Sequence, residues 1–339
     1  MAPTWIVALL GVFVLPAALA QSGPSPTLAV KFPNGLNVLD TGVNGGLNAV
    51  VSSSYTRTKW AWGTLPKHCF DTASGNGYCN PYDVEVYDVK YSECNVTTVF
   101  CRCNNSPLSI DQVATNFGRV PVKARQWIRY VSSYPAPQCS AWNSGNNMVY
   151  LGNCVNRQSV TFHEVAHTLD SWAVGLTGTS YSNTAPWKNI VAMGTCVPDS
   201  YAKSSWAESW AQVAVMTAYH YNVQSIWNLQ VGCMADQQTK SIDQLNNLYR
   251  RVAGQTCDRS WAKDPKVCMG PAARDSGNCA GVSSLSAQRI AEEGAAGITI
   301  EPVPVLTGEK KKQAEADEKD RILHAEEEAG LRKSKRFSA

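Results

Sequence analysis

Apolar residues in the first half of the chain come in short runs, such as residues 48–52 and 82–91, separated by Gly, Asn, Ser and Pro. Runs of this length, rich in Val, Tyr and Thr, predict strands joined by loops across residues 28–152. The pattern loosens over residues 110–131, where a helix is expected, and residues 147–152 (NMVYLG) return to a short strand. After residue 159 the period lengthens. Phe162, Val165, Ala166, Leu169 and Trp172 recur at three- and four-residue steps, as do Trp206, Trp210, Val213 and Thr217, and then Leu245, Leu248 and Val252. That spacing lines one face of a helix. The expected fold class is therefore α+β, with a strand-rich N-terminal lobe (28–152), a helical C-terminal lobe (159–256) and a looped, cysteine-bearing end (257–282).

The two ends of the chain follow other rules. Residues 1–20 hold an apolar run over 5–15 and then Ala18-Leu19-Ala20, small residues that suit signal-peptidase cleavage before Gln21. Gly11 and Pro16 interrupt the run, which falls short of the roughly 20 apolar residues of a membrane span, so no transmembrane segment is expected after signal removal. Residues 283–339 carry no cysteine and are dense in charge, as expected of a disordered or lone helical tail. Lys335-Arg336 is a candidate basic cleavage point near its end. Residues 21–282 are left as one domain with two lobes.

Twelve cysteines in an exported chain predict disulfides. Cys101 and Cys103 stand two apart, and each is expected to bond a different partner rather than share a metal. Asn95-Val96-Thr97 and Asn104-Asn105-Ser106 are glycosylation sequons, making Asn95 and Asn104 candidate acceptors. The net charge of +3 is small for this length, and the basic residues are dispersed. No basic patch or reading motif points to nucleic acid.

The chemistry concentrates in TFHEVAHTLDSW, residues 161–172. Ser159 can cap a helix beginning at Val160 and Gly175 can end it. Four residues advance a helix by about 400°, so His163 and His167 stack on one face within reach of one ion. Glu164 is rotated by about 100°, outside the ion's contacts but near enough to hold a water bound to it. Asp170 can accept the second proton of a ligand imidazole and fix its tautomer. The plain alternative is the solvated face of a surface helix.

Two imidazoles do not hold zinc alone, and a third protein ligand is expected. A histidine six residues after His167 would fall at position 173, which is Ala173, so the metzincin pattern is excluded. His68 and His220 are distant candidates. Glu208 lies in a helical stretch with Ala207, Ala211 and Ala214, small residues that permit close helix approach. It also stands three after Ser205, the spacing of a capping box.

HEVAHTLD at 163–170, with Tyr201 seven residues before Glu208, resembles the gluzincin zinc peptidases of the anthrax lethal factor type. The likeness implies a zincin-like metalloprotease fold with one Zn2+ held between the lobes by His163, His167 and Glu208. It also implies Glu164 as general base and Tyr201 as hydrogen-bond donor to the oxyanion. Residues 194–201 (GTCVPDSY) resemble, more loosely, the motif of deuterolysin-like aspzincins, which makes Asp199 the second choice for third ligand. In such peptidases a strand beside the cleft pairs with extended substrate, and residues 147–152 are its expected counterpart. The expected activity is that of a secreted zinc endopeptidase acting on protein or peptide substrates. The alternative is a non-enzymatic, disulfide-rich surface or wall protein whose metal helix is structural or vestigial.

Overall fold

The structure is a computed structural model that describes residues 23–268, except 61–63, 176–179, 263 and 265. The expected signal segment, the charged tail and Lys335-Arg336 lie outside the described residues.

The strands are β1 (Ala29–Val30), β2 (Tyr55–Lys59), β3 (Thr64–Pro66), β4 (Val84–Tyr91), β5 (Thr98–Cys103), β6 (Tyr130–Tyr134), β7 (Ser140–Ser144), β8 (Asn147–Leu151), β9 (Cys196–Val197) and β10 (Lys266–Cys268). The helices are α1 (Val38–Thr41), α2 (Lys67–Gly75), α3 (Ile110–Gly118), α4 (Val122–Arg125), α5 (Gln158–Leu169), α6 (Ala185–Met193), α7 (Trp206–Asn222) and α8 (Ala235–Tyr249). A six-stranded mixed sheet runs in the order β2-β4-β5-β6-β8-β7. Its outer pairs β2·β4, β4·β5 and β8·β7 are antiparallel, while β5·β6 and β6·β8 are parallel. Two small ribbons flank it, β1 beside β9 and β10 beside β3. The fold is a mixed α+β arrangement stapled by disulfides.

Alternation along the strands sorts side chains onto two faces, as a period of two requires. On one face Tyr87, Val89, Tyr91, Phe100, Val131, Met148 and Tyr150 pack with α3, α5, α7 and α8 in the larger core. On the other, Val84, Val86, Val99, Cys101, Cys103, Tyr130, Tyr134, Trp142 and Val149 pack with Leu65, Cys69, Ala73 and Cys79 in a smaller one. The smaller core is bridged by Cys69–Cys101 and Cys79–Cys103. Cys101 and Cys103 thus point the same way from β5 and take different partners. Cys94–Cys257, Cys139–Cys154 and Cys196–Cys233 complete the bridges among the described residues.

The expectation that residues 147–152 form the bordering strand needs correction. β8 is internal, flanked by β6 and β7, and β7 takes the edge. The cause is the turn at Gly145-Asn146, where both residues have positive φ (54° and 69°). Two such residues between paired Ser144 and Asn147 make the tight turn whose twist matches a hairpin, and the chain doubles back.

Candidate metal centre

The centre is built on two helices. α5 buries Phe162, Val165, Ala166 and Leu169 completely in the larger core, and this fixes its rotation about its own axis. After Leu169 the turn widens into a π-type segment, Asp170–Val174, which stops at Gly175, where the backbone becomes extended. The start of α5 differs from expectation. Ser159 lies inside the first turn, and Arg157 at the cap position makes no side-chain cap. The acceptor comes instead from Asp40 of α1, which takes the Ser159 N–H at 2.6 Å and its hydroxyl at 2.7 Å. A carboxylate there satisfies a donor the helix leaves open and meets the positive end of its dipole. Burial pushes the Asp40 carboxyl up to about 6, against the opposing effect of the Ser159 donors.

α7 is capped by Ser205, whose hydroxyl accepts the Glu208 N–H at 3.1 Å. The Glu208 side chain does not turn back to complete the capping box but points to the imidazoles of α5. Its Oε2 is 2.8 Å from His163 Nε2 and 3.3 Å from His167 Nε2. The two Nε2 atoms are themselves 3.0 Å apart. The three groups, His163, His167 and Glu208, thus form a single cluster able to hold a metal ion.

The cluster fits a divalent cation on three counts. Donor atoms around a tetrahedral ion with bonds of about 2.0–2.1 Å lie roughly 3.3 Å apart, close to the observed separations. Two imidazole nitrogens and one carboxylate oxygen are the donor types zinc takes. Finally, Glu208 Oε2 is buried where the two rings converge, 2.8 and 3.3 Å from their Nε2 atoms. Such an atom is costly unless something cationic satisfies it. Burial alone would raise the Glu208 carboxyl; the two adjacent imidazoles outweigh that and hold it well below the ordinary range. The carboxylate is therefore in its ligand form.

The other residues singled out from the sequence lie outside this cluster. Asp199, the second choice for third ligand, is outside it: its Oδ1 accepts the Ala202 N–H at 3.0 Å and its Oδ2 accepts from Gln212 at 2.6 Å. Burial pushes its carboxyl upward, while these two donors pull it down. Tyr201 stands beside the site, its ring centroid 5.7 Å from that of His163. Glu164 is 2% exposed. Asp170 receives the N–H and hydroxyl of Ser182 at 2.8 and 2.5 Å, tying the π-turn to the short helical segment Tyr181–Asn183. His220 accepts from the Ile226 N–H, and His68 stacks on Tyr130 in the smaller core. Neither reaches the cluster. Asn95 and Asn104 are both exposed, and Asn104 donates to Asp83.

Sequence reasoning missed two residues. Gln212, one turn beyond Glu208 on α7, holds its Oε1 3.2 Å from His163 Nδ1. Its spacing of four from Glu208 was a usable signal. Asp40 had none, being 119 positions from the helix it caps.

Comparison with known proteins decides the family. The sequence model of conidiation-specific protein Con-13 matches residues 30–325. This chain belongs to the Con-13 family. Conidiation-specific protein 13 of Neurospora crassa is 46% identical over 329 residues, covering 97% of this chain and 93% of that protein. No solved structure matches.

Membership in the Con-13 family overturns the resemblance to gluzincin and aspzincin peptidases, and with it the identification of this chain as a zinc metallopeptidase. The matching family and relative are described by conidiation, not by peptide hydrolysis. The physical reason for the misreading is plain. HExxH records only that two imidazoles share a helix face, and a nearby glutamate adds a ligand; neither specifies a reaction. Among the described residues no helix is long and apolar enough to cross a membrane.

Proposed function

We propose that this Con-13 family member is a secreted, disulfide-braced, non-enzymatic protein of the cell surface or wall, with a role in conidiation, that holds one zinc ion through His163, His167 and Glu208. The convergence of the buried Glu208 Oε2 with the two imidazole nitrogens, at 2.8 and 3.3 Å, carries the metal part of this reading. The apolar leader and the bridged cysteines support export, where disulfides persist. The relative's description as specific to conidiation supports the biological setting. Exposed Asn95 and Asn104 would carry glycans there.

A bound divalent ion would supply the positive charge that this cluster lacks and join α5 to α7. His163 and His167 bring their Nε2 atoms from one helix, and Glu208 its carboxylate from the other. A metal helix lying between β7 and a second ligand-bearing helix is also consistent with a zincin-like architecture, considered as a fold without that class's activity. Among the described residues, two clefts away from the cluster, one of about 480 Å³ between Lys123, Trp127, Leu248 and Asp258, are lined by none of these three residues.

Metal analysis after dialysis against zinc tests the reading. The wild-type protein should retain a stoichiometric ion and gain thermal stability from it, since binding to the native state alone is stabilising. Glu208→Ala and His163→Ala should lose both. A wild-type protein that stays metal-free, or a Glu208→Ala variant that retains stoichiometric zinc, would overturn it.

A further inference from the structure

Gln212 connects the metal cluster to a carboxylate behind it. His163 is 7% exposed, Gln212 7% and Asp199 3%, so the three polar groups are shielded from competing water. A carboxylate only accepts hydrogen bonds, so the end of the Gln212 amide facing Asp199 must be its NH2, as the 2.6 Å Nε2 to Oδ2 contact has it. The carbonyl end then faces His163 Nδ1 at 3.2 Å, and a carbonyl only accepts. Nδ1 must therefore carry a proton, whatever Nε2 carries toward the Glu208 carboxylate 2.8 Å away. The whole chain takes its direction from Asp199.

Asp199 is itself held in place. Its Oδ1 takes the Ala202 N–H, and the strand just before it, β9, is paired with β1 and tethered by Cys196–Cys233.

We propose that Asp199 and Gln212 are positioning residues for the metal centre, a directed pair of hydrogen bonds that locks His163 with its proton on Nδ1 and leaves Nε2 as its ligand atom. This rests on the metal reading above, because a lock on Nε2 matters only where Nε2 must bind. Without it the ring is free to place its proton on Nε2 and block the ligand position. The assignment also explains why a carboxylate so near the site is not one of its ligands.

Two measurements on the full chain test it. The first is a long-range proton–nitrogen NMR spectrum of the metal-free protein, recorded well above the ordinary imidazole pKa. It should show wild-type His163 protonated at Nδ1, and Gln212→Leu should lose that preference. The second is Zn2+ affinity by competition with a chelator. Gln212→Leu and Asp199→Leu should each bind about 10- to 100-fold more weakly, the usual effect of removing a partner that orients a metal ligand. Asp199→Asn keeps one oxygen to accept from Gln212 but sets its NH2 against the Ala202 N–H, so it should bind more weakly than wild type and more tightly than Asp199→Leu. Wild-type His163 without a proton on Nδ1 overturns the proposal. So do leucine variants that fold, by circular dichroism and Tm, yet bind zinc as tightly as wild type. If those variants fail to fold, the wild-type spectrum and Asp199→Asn decide, since a loss in Asp199→Asn as deep as in Glu208→Ala would make Asp199 a ligand. A wild-type protein with the Nδ1 proton in place but no affinity for zinc would refute the metal reading and leave the tautomer lock standing.

Discussion

The two faces of the central sheet solve the same burial problem by different means. On the helical face, the large core packs α3, α5, α7 and α8 against the strands and has room for buried polar groups: Asp40, the metal cluster, Gln212 and Asp199. On the opposite face, a far smaller core lies under α2 and the β3–β10 ribbon and is crossed by two disulfides. A small core buries too little apolar surface to offset the entropy of ordering its cover, and cross-links compensate by restricting the unfolded chain. Where the core is large, polarity can be spent on a site.

The largest effect that would separate the faces is removal of both bridges of the small core. Cys69–Cys101 and Cys79–Cys103 join residues 32 and 24 positions apart. Loops of that size correspond to about 3–4 kcal/mol per bridge. Replacing all four cysteines with alanine should abolish amide-exchange protection in α2 and β3 while α5 and zinc content persist. Loss of protection in α5 in step with α2 would show that the faces are one cooperative unit.

A second test uses pH, because each face holds an ionisable group shifted in the opposite sense. Burial pushes the His68 imidazole down to about 4, with Asp264 opposing and Arg129 assisting. The folded state therefore favours neutral His68, and the stability this gives is present above the ordinary imidazole pKa and lost as pH falls towards about 4. Asp40, raised to about 6, favours its protonated form when folded. Its contribution is present below the ordinary carboxyl range and is lost as pH rises through about 6. At 1.36 kcal/mol per pKa unit each effect is bounded at about 3 kcal/mol. Acidification from neutrality should loosen α2 and tighten the start of α5, as read by amide exchange. His68→Gln and Asp40→Asn should each flatten the response of their own face only; a variant that flattens both would break the comparison.

Smaller effects sharpen it. Ser205→Ala removes the cap of α7 and should cost about 1 kcal/mol in chemical denaturation, the usual loss at such a position. Lys67→Ala removes an ion pair with Asp71 on the exposed side of α2, both side chains more than half exposed. The change in denaturation midpoint should correspond to less than about 0.5 kcal/mol.

Much of the site was legible from local periodicity. The stacking of His163 and His167 follows from four residues of helix, and the paired direction of Cys101 and Cys103 from two residues of strand. Glu208 was a candidate because the small residues beside it permit close helix approach, and the structure places it against both imidazoles. The reaction was not legible, because ligand spacing describes how an ion is held and leaves open what is done with it. Asp40, Gln212 and the true role of Asp199 escaped because each works across a contact between distant segments. The edge position of β7 escaped for a related reason. Strand order depends on how hairpins close and crossovers pass, while each strand's own pattern reports only which side is buried.

What the amino-acid order determined by itself was therefore one-dimensional: which stretches are helix or strand, which face of each is apolar, and that two imidazoles share a helix face. Periodicities of 3.6 and 2 are set within a few residues, by backbone geometry. The meeting of Glu208 with the two imidazoles, the cap on α5, the hydrogen-bonded contacts behind His163 and the cysteine pairings among the described residues were decided only when helices and sheet packed. Those contacts join residues up to 163 positions apart, as in Cys94–Cys257, and exist only where burial brings the segments together.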